Sequence, residues 1–240
     1  MMLFMTCRDT GAVTKAAFCH QEMFGRFVNP RRQSVGLANW SAWVGDNGAF
    51  TGFDQDVFMR CIKKLLRYKA TCRCLTVPDV PFCWEPTLAK FRDWSPSIRR
   101  MGFPVGLAVQ DGATVDNIPW TEIDALFIGG STEWKRQQAY RGWVKAREKQ
   151  IPVEALPLFT GAVLTVERST AVSEIVAEAK RRGLWVHVGR SANSPEQLWY
   201  AYQLGADSVD GTRETKAPDR EFRWITQSMC DIHQFKSKVA

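Results

Sequence analysis

Asp46, Asp79, Gln110, Gly129 with Gly130, Gly189 with Arg190, and Asp210 are the residues of this chain whose types and spacing can do chemistry. Each follows a short apolar run and stands at a turn: "WVGDNG", "LTVPD", "LAVQDG", "LFIGGS", "WVHVGR" and "DSVDG". Two carboxylates at one place can divide acid and base work. One can also attack a sugar carbon while the other protonates the leaving group. Asp79 and Gln110 offer the donors and acceptors that read the amide-like edge of a planar heterocycle. Paired glycines let the backbone approach a ligand closely. No one of these residues is diagnostic alone. Asp46 in Asp-Asn-Gly is also ideal turn chemistry, and an arbitrary Asp more often caps a helix or forms a turn. Their recurrence at successive strand ends weighs against that reading.

The elements that must position these residues alternate. "MMLFMT" reads as a first strand, followed by a long polar and basic connection to the Asp46 turn. Residues 54–69 carry Val57, Phe58, Cys61, Ile62, Leu65 and Leu66 at helical spacing, with Asp54 as N-cap. "CRCLTVPD" is a strand in which Cys72 and Cys74 point to one side. Residues 86–101 read as a helix interrupted by Pro96. "FPVGLAVQDG" and "IDALFIGGS" are strands, and "EWKRQQAYRGWVKAREK" is a helix with a basic outer face. Residues 169–182 form a helix closed by Gly183. "LWVHVG" is a strand, and Ser194, Pro195 and Gln197 start a further helix that Gly205 ends. "ADSVDG" is the last strand. Residues 150–165 read as an irregular insertion.

Most of these strands are apolar without strict alternation, so both faces are buried and the architecture is α/β. An open sheet and a closed barrel both fit. The barrel is preferred, because in a barrel the strand ends along the whole chain converge on one mouth. In an open sheet only those at the switch point would meet. Nothing marks a linker, so residues 1–240 are expected to form a single barrel domain.

Composition bounds the partners. The chain has 240 residues and a formal charge of +7, which favours a polyanion without requiring one. Seven scattered cysteines and no secretory signal fit free thiols in a reducing cytoplasm. The apolar "MMLFM" start is too short to span a bilayer, so no membrane partner is expected. Cys230 and His233 supply two ligands where structural zinc wants four, so no metal is expected. His187, in the middle of "WVHVG", reads as a packed strand histidine rather than a catalyst.

Taken in order, the segments resemble the tRNA-guanine transglycosylases. "DNGAF" at 46–50 resembles their Asp-Ser-Gly-Gly-Phe segment, "VPD" at 77–79 their base-reading aspartate, and "VQDG" at 109–112 their Val-Gln-Gly segment. "IGG" at 128–130 resembles the Gly-Gly strand end that contacts the base. "HVGR" at 187–190 falls where the family has Met-Gly-Val-Gly, and "GADSVD" at 205–210 resembles the segment whose last Asp is the nucleophile. The resemblance runs from residue 44 to 213. It implies a (β/α)8 TIM-type barrel that exchanges guanine for a 7-deazaguanine through a covalent aspartyl–C1′ link. It also implies roles: Asp210 as nucleophile, Asp46 as general acid/base, and Asp79, Gln110, Gly129, Gly130 and Gly189 around the base. No cofactor is implied.

Three departures point to one branch. The zinc-binding cysteines and histidine after the nucleophile are reduced to Cys230 and His233, so the zinc subdomain is lacking. The chain is much shorter than a bacterial tRNA enzyme. Pro81 stands where the family has a cysteine beside the base-reading Asp. The chain most resembles the compact relatives encoded by bacteriophages and DNA-modification clusters, which insert preQ0 or a derivative into DNA. The expected partners are therefore DNA, with tRNA second, and a free 7-deazaguanine base, in the host cytoplasm if phage-encoded.

Such a substrate must be flipped out or single-stranded to reach a barrel mouth. Trp40, Trp43 and Trp84 are expected to stack on bases, with Trp134 and Trp143 either stacking or in the core. Arg31, Arg32, Lys135, Arg136, Arg190 and Arg213 are expected to meet phosphates. Two other classes stay open: a barrel binding the phosphate of a small metabolite near Gly189 and Asp210, and a nucleic-acid-binding barrel without catalysis.

Overall fold

The computed structural model describes residues 1–7, 14, 17–31, 37–135, 171–211 and 218–239. Eight parallel strands close on themselves in sequence order: β1 (Leu3–Thr6), β2 (Phe24–Val28), β3 (Trp43–Gly45), β4 (Cys72–Thr76), β5 (Val105–Val109), β6 (Ala125–Ile128), β7 (Trp185–Val188) and β8 (Ser208–Asp210). β1 closes the ring against β8, with Met5 opposite Asp210. The fold is the compact (β/α)8 barrel. All strands run the same way, so their C-terminal ends share one mouth.

Among the described residues the helices with defined bounds are α1 (Gln55–Leu65), α2 (Trp84–Arg100), α3 (Thr132–Lys135), α4 (Ala171–Arg181), α5 (Pro195–Leu204) and α6 (Pro218–Val239). Local chemistry sets their ends. Asp54 caps α1 by accepting the Val57 N–H at 3.0 Å, and Gly205 ends α5 in the left-handed region at φ 98°. Ser194 caps α5, but Gln197 takes the Asn193 N–H rather than returning to Ser194. Pro96 lies inside a continuous α2 and does not interrupt it. The helix expected over 133–149 lies outside the described residues beyond Lys135, as do residues 150–165. No helix among the described residues is long and apolar enough to cross a membrane.

Apolar side chains fill two layers. Leu3, Met5, Phe27, Val44, Cys74 and Ala125 pack inside the barrel, while Phe4, Phe24, Leu75, Leu107, Ile128 and Val188 pack outward against the helices. This two-sided burial explains the weak alternation in the sequence. It also explains why β2 is hidden within the connection read as polar. "FGRFV" carries Gly25 because a Cβ there would lie 2.4 Å from Met5 Sδ. It carries Arg26 as a residue only 2% exposed. Cys72 and Cys74 do not share a face. The register shifts between Trp43 and Val44, which pair with Cys72 and Cys74. Arg73 bulges out, so Cys72 joins the outer layer and Cys74 the inner.

Candidate active site

A cavity of about 630 Å³ opens at the C-terminal mouth. Asp46, Asp79, Gln110, Gly129, Gly130, Gly189, Arg190 and Asp210 all line it. Its volume suits a small organic ligand.

Asn47, expected only as part of a turn, organises one wall. Its Oδ1 accepts the Ala49 N–H at 2.7 Å, and its Nδ2 donates to Val77 O at 2.8 Å and Asp79 Oδ1 at 2.9 Å. The Asp-Asn-Gly turn therefore bolts the end of β3 to the end of β4. Gly48 takes φ 78°, which a side chain would resist. Asp46 is half-buried. Its Oδ2 accepts from Asn29 Nδ2 and its Oδ1 from the Asn47 N–H, both at 2.8 Å. Desolvation pushes its pKa up to about 6, and the charges of Asp210 and Asp79 push the same way, against backbone hydrogen bonds from Gly48 and Asn47. A carboxyl poised there can give and take a proton near neutrality.

Asp79 and Gln110 are locked together. Gln110 Nε2 donates to Asp79 Oδ2, while Gln110 Oε1 accepts the N–H groups of Phe82 at 3.0 Å and Gly130 at 2.7 Å. Those contacts fix the amide's orientation without ambiguity, since Oε1 faces two donors and Nε2 an acceptor. Burial raises the Asp79 pKa, opposed by the hydrogen bonds from Asn47 and Gln110. The glycine N–H groups are not free for a ligand: Gly129 donates to Val109 O, Gly130 to Gln110 Oε1 and Gly189 to Ile128 O. What these positions require is the absence of a side chain. A Cβ would lie 2.6 Å from Gln110 Nε2 at Gly129, 2.5 Å from the Trp134 ring at Gly130 and 2.6 Å from the Phe127 ring at Gly189.

Asp210 stands opposite, at the end of β8 and 4% exposed. Its Oδ1 accepts the Arg190 N–H at 2.8 Å and lies 3.1 Å from His187 Nε2. Among the described residues none donates to Oδ2. Arg190 adopts φ 56°, a costly backbone for a residue with a side chain, and that conformation aims its N–H at the carboxylate. Asp207, at the start of the strand, is held away from the mouth by Lys180 Nζ at 2.6 Å and the Val186 N–H at 2.8 Å.

The aromatic residues of the mouth are not the expected ones. Trp40 is 4% exposed and packs against Phe18, and its segment is tied to the start of β2 through Gln21, so it lies outside the cavity. Trp43 and Trp84 are buried in the outer layer too, because indoles in an apolar chain serve first to fill space between strands and helices. Phe50 and Phe82 take the rim instead, 56% and 47% exposed and edge to face at 6.0 Å. The Arg190 guanidinium sits over the Phe50 ring at 4.1 Å. Their signal in the sequence is position: Phe50 follows Asp46 by four residues and Phe82 follows Asp79 by three.

Of the expected phosphate contacts, Arg31, Lys135 and Arg190 line the cavity. Arg31 donates to Gly52 O at 2.6 Å, and Lys135 Nζ to Gly189 O at 2.8 Å. Arg32, Arg136, Trp143 and Arg213 lie outside the described residues. Among the described residues no cluster of three candidate metal ligands exists. Cys230 packs on Met23, and His233 meets Met2 O at 3.2 Å.

No protein-family model matches the chain, and no curated protein matches it. Solved structures do. The chain is similar to the Amycolatopsis orientalis BexX/CysO complex at TM-score 0.52 and 15% identity, over 98% of this chain and 91% of that one. It also overlays the YdjI aldolase of Escherichia coli K12 at TM-score 0.47 and 10% identity, over 100% and 89% of the two chains. The N-acetylmannosamine-6-phosphate 2-epimerase of Clostridium perfringens gives 0.44 and 14%, over 94% and 91%. At such identities the likeness to the first of these shows the barrel fold, and the chemistry of the mouth must be argued from its own residues.

Proposed function

We propose that this barrel is a guanine transglycosylase that replaces guanine in DNA with a 7-deazaguanine, preQ0 or a derivative. The observation that carries the reading is the meeting, in one cavity, of Asp46, Asp79, Gln110, Gly129, Gly130, Gly189 and Asp210. These are the positions that the resemblance to the transglycosylases singles out, and they come from six separate strand ends.

In this mechanism Asp210 Oδ2 attacks C1′ of the target nucleotide. The C1′–N9 bond breaks as Asp46 gives its proton to the departing guanine. The free 7-deazaguanine then enters, loses the N9 proton to Asp46 and attacks C1′, and the bond to Asp210 breaks. Atoms and charge balance over the cycle, and no cofactor is needed. The remaining acceptor capacity of Asp79, held by Asn47 and Gln110, reads the base edge. Phe50 and Phe82 supply apolar faces on which a base extruded from its stack can rest. Support for DNA as polymer comes from the formal charge of +7 and from the resemblance to the compact DNA-acting branch.

The test offers the protein labelled guanine with DNA and tRNA in parallel. Label entering DNA is the expected result. Label in tRNA alone would exchange the polymer, and label in neither would overturn base exchange.

A further inference from the structure

His187 is fully buried within β7, between the rings of Phe27 at 5.7 Å and Phe127 at 4.9 Å. Its Nε2 lies 3.1 Å from Asp210 Oδ1 and its Nδ1 lies 2.9 Å from Ser208 Oγ. Ser208 Oγ in turn accepts the Trp185 indole N–H at 3.0 Å. Both ends of this chain are one-way groups. An ionised carboxylate only accepts, and an indole N–H only donates. With a neutral imidazole, which carries one N–H, the direction of the links between them follows: Nε2–H donates to Asp210, so the Ser208 hydroxyl donates to Nδ1 while its oxygen accepts from Trp185.

We propose that Trp185, Ser208 and His187 form a relay that fixes the His187 tautomer and thereby positions Asp210 for attack. The proposal rests on the reading of Asp210 as the attacking carboxylate. His187 and the Arg190 N–H both bind Oδ1, so the carboxylate cannot rotate without breaking two hydrogen bonds. Oδ2, to which no described residue donates, is left to face the cavity. The flanking Phe27 and Phe127 rings hold the imidazole plane and keep water from competing for Nε2. His187 touches no reacting atom, and it is a positioning residue.

Two measurements test this. The first is the ring-nitrogen NMR spectrum of His187 in the wild-type protein and in Ser208→Ala. The wild type should carry its proton on Nε2, and Ser208→Ala, without a donor to Nδ1, should show a mixture. The second is the rate of covalent adduct formation with labelled DNA. His187→Leu should lose about 10²-fold in kcat at unchanged KM, the scale of a misplaced reacting group. His187→Gln keeps an N–H at the place of Nε2 and should recover most of that rate. Ser208→Ala should lose about tenfold, one hydrogen bond's worth. A proton on Nδ1 in the wild type, a His187→Gln variant as slow as His187→Leu, or full activity in His187→Leu would each overturn the relay. If the wild-type protein forms no adduct on any polymer, base exchange fails, and the tautomer measurement still decides whether the relay exists.

Discussion

Asn47 Nδ2 stands 2.9 Å from Asp79 Oδ1, so the turn after the third strand holds the carboxylate after the fourth. The same amide nitrogen reaches Val77 O, and its oxygen caps the Ala49 N–H. One buried side chain thus satisfies three partners from two strand ends. Asn47→Ala would leave buried groups unpaired. It should cost ~3 kcal/mol in urea unfolding, since each orphaned buried group costs about 1–3 kcal/mol. Asn47→Asp keeps the acceptor but sets a second carboxylate against Asp79, and should be no better. Full stability in Asn47→Ala would show that the turn holds without it.

The Asp46 pKa, raised to about 6 by burial, predicts a pH dependence of stability. An acid whose folded pKa lies above its unfolded value binds more protons when folded. The stability present below about pH 4 is therefore lost as pH rises through about 6. Asp79 is raised too and adds in the same direction. Unfolding free energies at pH 4.5 and 7.5 should converge in Asp46→Asn by ~2 kcal/mol relative to wild type, at about 1.36 kcal/mol per unit of pKa. The slope is the readout, because a carboxamide in place of the Asp46 carboxylate cannot accept from both Asn29 and the Asn47 N–H. An unchanged slope would assign the dependence to other groups.

Asp210→Ala should abolish the covalent adduct seen on a denaturing gel with labelled DNA, while far-UV circular dichroism stays native. Asp207→Ala should keep the adduct and lose stability instead, because Asp207 serves Lys180 and the Val186 N–H. An adduct that persists in Asp210→Ala, or vanishes only in Asp207→Ala, would relocate the nucleophile.

Phe82 sits at φ 67° with a ring 47% exposed at the rim. Glycine adopts that backbone freely, whereas alanine, like phenylalanine, adopts it at a cost. Phe82→Gly should therefore unfold at a higher urea concentration than Phe82→Ala, by ~1 kcal/mol. Both should bind a single-stranded oligonucleotide more weakly, by the ~1–3 kcal/mol of one lost stacking partner. Anisotropy titration decides: undiminished binding in both variants would remove Phe82 from the substrate path.

The barrel and the strand-end residues of the cavity were legible because parallel strands impose a local rule. A strand buried on both faces must be apolar, so a polar residue at its end stands out, and a closed ring brings those ends together. Asp46, Asp79, Gln110 and Asp210 carried that signal in their own neighbourhoods. β2 did not, since Gly25 and Arg26 are explained only by Met5 across the barrel and by packing around the ring. Tryptophan identity could not separate stacking surface from core, and the indoles at 40, 43 and 84 went to the core while Phe50 and Phe82 took the rim.

What the sequence determined by itself was which polar and glycine residues end the strands at the mouth, because strand ends are a local property. Only the tertiary structure decided how they are held. Asn47 with Asp79, Gln110 with Phe82 and Gly130, and His187 between Ser208 and Asp210 join positions 20 to 32 residues apart. Hydrogen bonds of that kind depend on register and side-chain direction, to which no local pattern of residue types answers.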